Sequence, residues 1–174
     1  TSTLENPVHT YISAGTYPVK LIACNVSGCD SITISVTIIG VNGPSAPLCS
    51  PITSAFCCSA GITNVTFNTI NNTTQNAIQG FQDYSCTAAT IVTQGLNYPI
   101  AVTTGATSNE NVRCWIDFNN DGVFAAAENV FASQAIGTHN GNITIPLTAV
   151  LNTPLRMRIG SDRSVNSIPS PCIN

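Results

Sequence analysis

The residues best equipped for chemistry form one run, Asp117-Phe118-Asn119-Asn120-Asp121-Gly122-Val123-Phe124-Ala125-Ala126-Ala127-Glu128. It fits D-x-[DN]-x-[DN]-G-x5-E, the pattern of a twelve-residue calcium loop. Calcium is a hard cation that gathers about six to eight oxygens, so alternate side chains must converge on one point. Asp117, Asn119, Asp121, the Val123 carbonyl and Glu128 would supply them, and Gly122 permits the sharp turn at the sixth position. Three of the chain's eight acidic residues lie in this loop. The competing reading is an Asn/Asp/Gly-rich turn without metal. The flanks read as strands rather than helices, which excludes an EF-hand sensor, so the expected role of a bound Ca2+ is structural.

Catalysis has little to build on. There is no G-x-S-x-G nucleophile elbow and no H-E-x-x-H. His139 sits in Gly137-Thr138-His139-Asn140-Gly141, which reads as an exposed turn. A general acid/base pair needs two positioned carboxylates, and outside the loop only Glu5, Asp30, Asp83, Glu110 and Asp162 remain, scattered. Asp83 reads as a hydrogen-bonded structural residue. Trp115 is either a sugar-stacking face or a covered side chain. The expectation is a protein that is not an enzyme.

The eight cysteines, Cys24, Cys29, Cys49, Cys57, Cys58, Cys86, Cys114 and Cys172, form an even set in a Thr/Asn-rich chain with one lysine. That combination points to disulfides and an extracellular or cell-surface setting. No CxxC pair supports a zinc site. Cys24 and Cys29 flank the turn signal Asn25-Val26-Ser27-Gly28, so a bridge across a hairpin end is the natural reading. Cys86 and Cys114 are expected to pair within the main module, and the adjacent Cys57 and Cys58 to pair outward.

Only 7% of the 174 residues are charged, and five basic residues spread thinly give no phosphate-binding surface. Nucleic acid is excluded as a partner. No apolar run reaches the length of a transmembrane helix, so membrane insertion is not expected. The chain does not begin with Met and reads as a mature chain or an excised segment. Sequons at Asn25, Asn64, Asn71, Asn72 and Asn142 are candidate glycosylation sites.

The elements that must position these residues are strands. Tyr17, Val19, Leu21 and Ala23 alternate with Pro18, Lys20 and Ile22; Ile32, Ile34, Val36 and Ile38 alternate with Ser31, Thr33, Ser35 and Thr37. Residues 41–56 carry Pro and Gly at linker density. Beyond them, strands are expected over 62–67, 87–93, 98–103, 112–118, 142–147 and 155–159, with one helical turn at 125–129. Many short strands between Gly, Asn and Pro breaks predict an all-β sandwich.

Residues 1–40 resemble the second half of a PKD domain, an Ig-like sandwich, through Pro7, His9, Thr10, Tyr11, Gly15, Tyr17, Val19, Leu21, Asn25, Gly28, Asp30 and Ser31. The resemblance implies that His9 is structural. Residues 57–174 resemble the GEVED domain of secreted Bacteroidota-type surface proteins. The matching residues are Cys58-Ser59-Ala60-Gly61, Ile62-Thr63-Asn64-Val65, Asn71-Asn72-Thr73, Asp83-Tyr84, Trp115 to Gly122, Arg156-Met157-Arg158 and Pro171-Cys172. This implies a disulfide-bonded, jelly-roll-like module in which Cys172 returns to Cys57 or Cys58 and Cys49 takes the other. It also implies that the acidic motif naming that family lies beyond Asn174. In such proteins Asp-Ser/Thr followed by an aliphatic residue carries O-glycans, a pattern that Asp30-Ser31-Ile32 fits at Ser31.

These readings together predict a secreted, calcium-stabilised structural or adhesive protein that self-associates or binds another extracellular protein or glycan. A glycosylated filament built by strand exchange is one form of it, since each module lacks strands that either a neighbouring chain or the same longer polypeptide must supply. The rival reading is an accessory substrate- or glycan-binding module of a larger secreted enzyme such as a metalloprotease.

Overall fold

The computed structural model describes residues 2–4, 7, 9, 11, 15–38, 43–53, 60–74, 79–166 and 168–172. The chain is all-β, as its period-2 patterning requires, and divides into two compact units, Thr1–Gly43 and Pro44–Asn174.

The first unit holds one antiparallel hairpin, β1 (Gly15–Asn25) and β2 (Gly28–Ile38). Its register sets Cys24 opposite Cys29, and the two are disulfide-bonded as their spacing predicts. Asn25 Oδ1 accepts the Ser27 N–H at 2.8 Å and tightens the turn. Tyr17, Val19 and Leu21 stand opposite Val36, Ile34 and Ile32, so the apolar sets share one face. Leu21, Ile32 and Ile34 on that face are more than half exposed.

The second unit is two antiparallel sheets packed face to face. One has the order β4 (Ile70–Thr73), β3 (Ile62–Phe67), β5 (Asn97–Thr104), β8 (Thr138–Thr144); the other has β7 (Asn129–Ile136), β6 (Asn109–Ile116), β9 (Met157–Arg163). Alternation sends Phe67, Ile100, Val102 and Ile143 of the first sheet against Val112, Cys114, Ile116 and Phe131 of the second. The outward positions of the four-stranded sheet are Asn64 and Thr66, Asn71 and Thr73, Asn97 and Thr103, and Thr138, Asn140, Asn142 and Thr144, with Pro99 and Ala101 between them.

Several sequence-based expectations need correction. Residues 87–93 form no strand. Their polar groups are met by side chains instead: the Asn68 amide donates to Thr90 Oγ1 and Ile91 O, and Thr93 N–H donates to the Tyr98 hydroxyl. β4 and β7 were not anticipated, and β8 begins four residues earlier than the expected 142. The stretch assigned to a linker belongs, from Pro44 onward, to the second unit. Cys86 and Cys114 are both free: Cys86 is exposed, whereas alternation along β6 turns Cys114 into the core. Cys172 bonds to Cys49. Cys57 and Cys58 lie outside the described residues.

His139 is not in an exposed turn. It lies within β8, 1% exposed, its Nδ1 3.0 Å from Ser133 Oγ on β7 and its Nε2 3.3 Å from Thr104 Oγ1. It thus bridges the two sheets. Burial lowers its pKa, favouring the neutral ring. The unfolded chain takes up a proton on this ring below its ordinary pKa while the folded chain resists, so His139 costs stability as pH falls from about 7 toward 5. Glu110 works in the opposite sense. It is fully buried, and burial raises its pKa despite the Gly61 N–H bonded to both carboxylate oxygens at 3.2 Å. Its cost to the folded state at neutral pH is relieved as acidification protonates it. Urea midpoints between pH 7 and 5 should therefore fall for the wild type relative to His139→Gln, which keeps a hydrogen-bonding side chain and does not titrate.

Candidate metal centre

The Asp117–Glu128 loop connects β6 to β7 and carries a 3-10 turn at Ala126–Glu128 where one helical turn was expected. Asp117 follows directly on the last core residue of β6 and is 1% exposed. Its Oδ1 accepts the Asp121 N–H at 3.1 Å and its Oδ2 the Gly122 N–H at 2.9 Å. Asn119 Oδ1 accepts the same Asp121 N–H at 3.1 Å, and Asp121 Oδ1 accepts the Val123 N–H at 2.7 Å. Asn120 (φ 56°) and Gly122 (φ 83°) supply the left-handed residues that the fold-back requires. Asp117, Asn119 and Asp121 are thus brought together about the Asp121 N–H.

Glu128 is buried and spans the loop. Its Oε1 accepts the Phe118 N–H at 2.8 Å and its Oε2 the Ala125 N–H at 2.9 Å. Among the described residues no three His, Cys, Asp or Glu side chains form a metal-holding cluster. The donor set nevertheless fits calcium in kind. Two aspartates, a glutamate, the Asn119 amide oxygen and the Val123 carbonyl are all hard oxygens, and each carboxylate oxygen that accepts one N–H keeps a free lone pair.

A second segment braces this loop, and sequence reasoning missed it. Residues 44–49 run alongside it as a strap. Ser45 N–H donates to Asn120 Oδ1 at 2.7 Å, Ser45 Oγ donates to Asn120 O at 2.5 Å, and Leu48 N–H donates to Gly122 O at 2.9 Å. On its other side the strap is tied to Arg156, the residue just before β9, and to Arg158 within it. Arg156 Nε donates to Ser45 O at 2.9 Å, and Arg158 Nη1 donates to Cys49 O at 3.0 Å and to Pro171 O at 2.5 Å. Arg158 is 9% exposed, with the Phe124 ring of the loop 4.6 Å from its guanidinium carbon. The alternation of Leu155, Met157 and Ile159 with Arg156 and Arg158 was the available signal: two arginines on one side of an extended run need acceptors, here the strap carbonyls of Ser45 and Cys49 together with Pro171 O.

At Gly122 the strap leaves the loop no room for a side chain. A Cβ built there would stand 2.5 Å from Ala46 O, on a backbone already at a left-handed φ. Gly122→Ala should therefore cost about 1–3 kcal/mol, read as a lower urea midpoint in Trp115 fluorescence.

The remaining candidates fall elsewhere. Trp115 is 4% exposed, beside Gly160, and offers no stacking face. Asp83 is exposed and accepts the Ser85 N–H at 2.8 Å; hydrogen bonds from Ser85 hold its carboxyl below the usual range. Ser31, Asn25, Asn71 and Asn142 are exposed, whereas the Asn64 amide is engaged by Asn71 Oδ1 at 2.9 Å and Thr73 Oγ1 at 2.8 Å. No helix among the described residues is long and apolar enough to cross a membrane.

No curated protein and no solved structure matches the chain. Residues 111–174, which contain the Asp117–Glu128 loop, β9 and Cys172, match the family model of the GEVED domain.

Proposed function

We propose that this is a non-catalytic, secreted structural or adhesive protein whose sandwich is stabilised by calcium and whose hairpin unit mediates assembly with further copies. The observation that carries the reading is the uncovered apolar face of Leu21, Ile32 and Ile34. A two-stranded ribbon is marginally stable at best in water and needs a third strand or a packed layer to persist. Strands of a neighbouring copy would provide both, and a head-to-tail exchange that does not close on itself gives a filament. Two disulfides and the scarcity of charge support an extracellular setting. Asp117, Asn119, Asp121, Val123 and Glu128 would hold the calcium, which contributes fixed charge and loop order rather than signalling. Ser31, exposed on the hairpin, is the site at which a glycan would least disturb the sandwich.

Size-exclusion chromatography and electron microscopy of the native protein test this. The expected result is concentration-dependent assembly that Leu21→Lys and Ile34→Lys abolish while the sandwich melt is unchanged. A monodisperse monomer would overturn the assembly role.

A further inference from the structure

The outward face of the four-stranded sheet has a chemistry of its own. Across β3, β5 and β8 every outward side chain is neutral, and all but Pro99 and Ala101 are Asn or Thr. Solvated sheet faces ordinarily carry lysine, glutamate and arginine; this one carries only amides and hydroxyls. At its centre lies a shallow depression of about 470 Å³. It exists because Pro99 and Ala101 are short while Thr66, Asn68, Asn140 and Asn142 stand around them. The backbone beneath is anchored: Phe67, Ile100 and Ile143 bury the inner side of the same three strands in the core.

The hydrogen-bonding state of the rim is informative. The Asn68 amide is committed to Thr90 and Ile91. Thr66, Asn140 and Asn142 have no side-chain hydrogen bond to any described residue. A row of uncommitted amides over a small apolar floor offers paired donors and acceptors at fixed spacing. Strands lie about 4.8 Å apart, so the depression crosses about 10 Å from β3 to β8.

We infer that this face is a binding site for a neutral polysaccharide chain, laid across β3, β5 and β8 with its ring faces on Pro99 and Ala101 and its hydroxyls bonded by Thr66, Asn140 and Asn142. Sugar hydroxyls come in adjacent pairs, each a donor and an acceptor, and a carboxamide presents the complementary pair. Charge complementarity selects the class: a face without cations gives nothing to an acidic polymer, whereas a neutral one leaves no charge unpaired. Holding the amides on a preformed sheet lowers the ordering cost that weak polar contacts must overcome. The site is independent of the calcium loop and of the hairpin.

Affinity electrophoresis in gels containing mixed-linkage β-glucan, xylan or galactomannan, with alginate as the acidic control, tests the inference. The expected result is retardation by at least one neutral polymer and none by alginate. Ala101→Lys, which fills the depression, and the double variant Asn140→Ala/Asn142→Ala should each weaken binding at least tenfold with an unchanged melt. Free migration in all three neutral gels overturns the inference, as does retardation that neither variant alters. Loss of self-association in these variants, without any polysaccharide binding, would instead identify the occupant as a second copy and likewise overturn it.

Discussion

Removing calcium with EDTA should lower the Tm of the sandwich by about 10 °C. A ligand that binds only the folded state stabilises it by about 2.7 kcal/mol at a hundred times its Kd, and a domain of this size shifts by roughly 3–5 °C per kcal/mol. Trp115, the chain's one tryptophan, is buried on β6 two residues before Asp117, so its fluorescence reports this unit alone. Asp117→Ala and Glu128→Ala should abolish the response to EDTA. Both also lose buried hydrogen bonds to main-chain N–H groups, so their baseline Tm should fall by itself. Asp121→Asn, on an exposed side chain, separates the two effects: baseline near wild type, response to calcium weakened. An unchanged wild-type melt in EDTA would show that the loop's carboxylates serve only its backbone.

Breaking Cys49–Cys172 should have the largest effect on stability. The bond joins residues 123 apart. In the chain-entropy model, closing a loop of that length is worth about 4–5 kcal/mol, against about 2 kcal/mol for the short loop closed by Cys24–Cys29. Cys49→Ser/Cys172→Ser should therefore sharply lower the denaturant midpoint of Trp115 fluorescence, whereas Cys24→Ser/Cys29→Ser leaves it in place. The bond also anchors the strap. Without it, the described bonds that still tie the strap to the sandwich beyond the loop come from Arg156 and Arg158, so calcium affinity should fall along with stability. Isothermal titration of the double variant checks this; an unaltered calcium Kd would show that the strap does not brace the loop.

Local patterning revealed what local forces determine. Alternation placed β3, β5 and most of β6, and the turn between Cys24 and Cys29 predicted both hairpin and bridge. Asp117, Asn119, Asp121 and Gly122 announced their fold-back because its hydrogen bonds join residues two to five apart. What stayed hidden depends on partners distant in sequence. Residues 44–49 look like a linker because Pro44 and Pro47 interrupt any strand pattern; their hydrogen bonds reach residues 74 to 111 positions away. His139 looks like part of a turn because Gly137 and Gly141 flank it, yet Gly141 is there because the Phe131 ring fills the space its Cβ would need. Cys86–Cys114 was expected from parity alone, which takes no account of the direction in which β6 points Cys114.

The buried thiol of Cys114 gives this molecule an internal clock. Its side chain is fully enclosed between the sheets, and burial raises its pKa far out of the reactive range. Cys86 is exposed, with no such protection. Among the described cysteines, a thiol-labelling reagent therefore meets one exposed site, Cys86, and one that reacts only when the sheets part, Cys114. The slow phase measures the opening of the sandwich in native buffer, without denaturant. Whatever occupies the Asp117–Glu128 loop from the far end of β6 is then legible as a change in the rate at which a single sulfur, three residues away, becomes reachable.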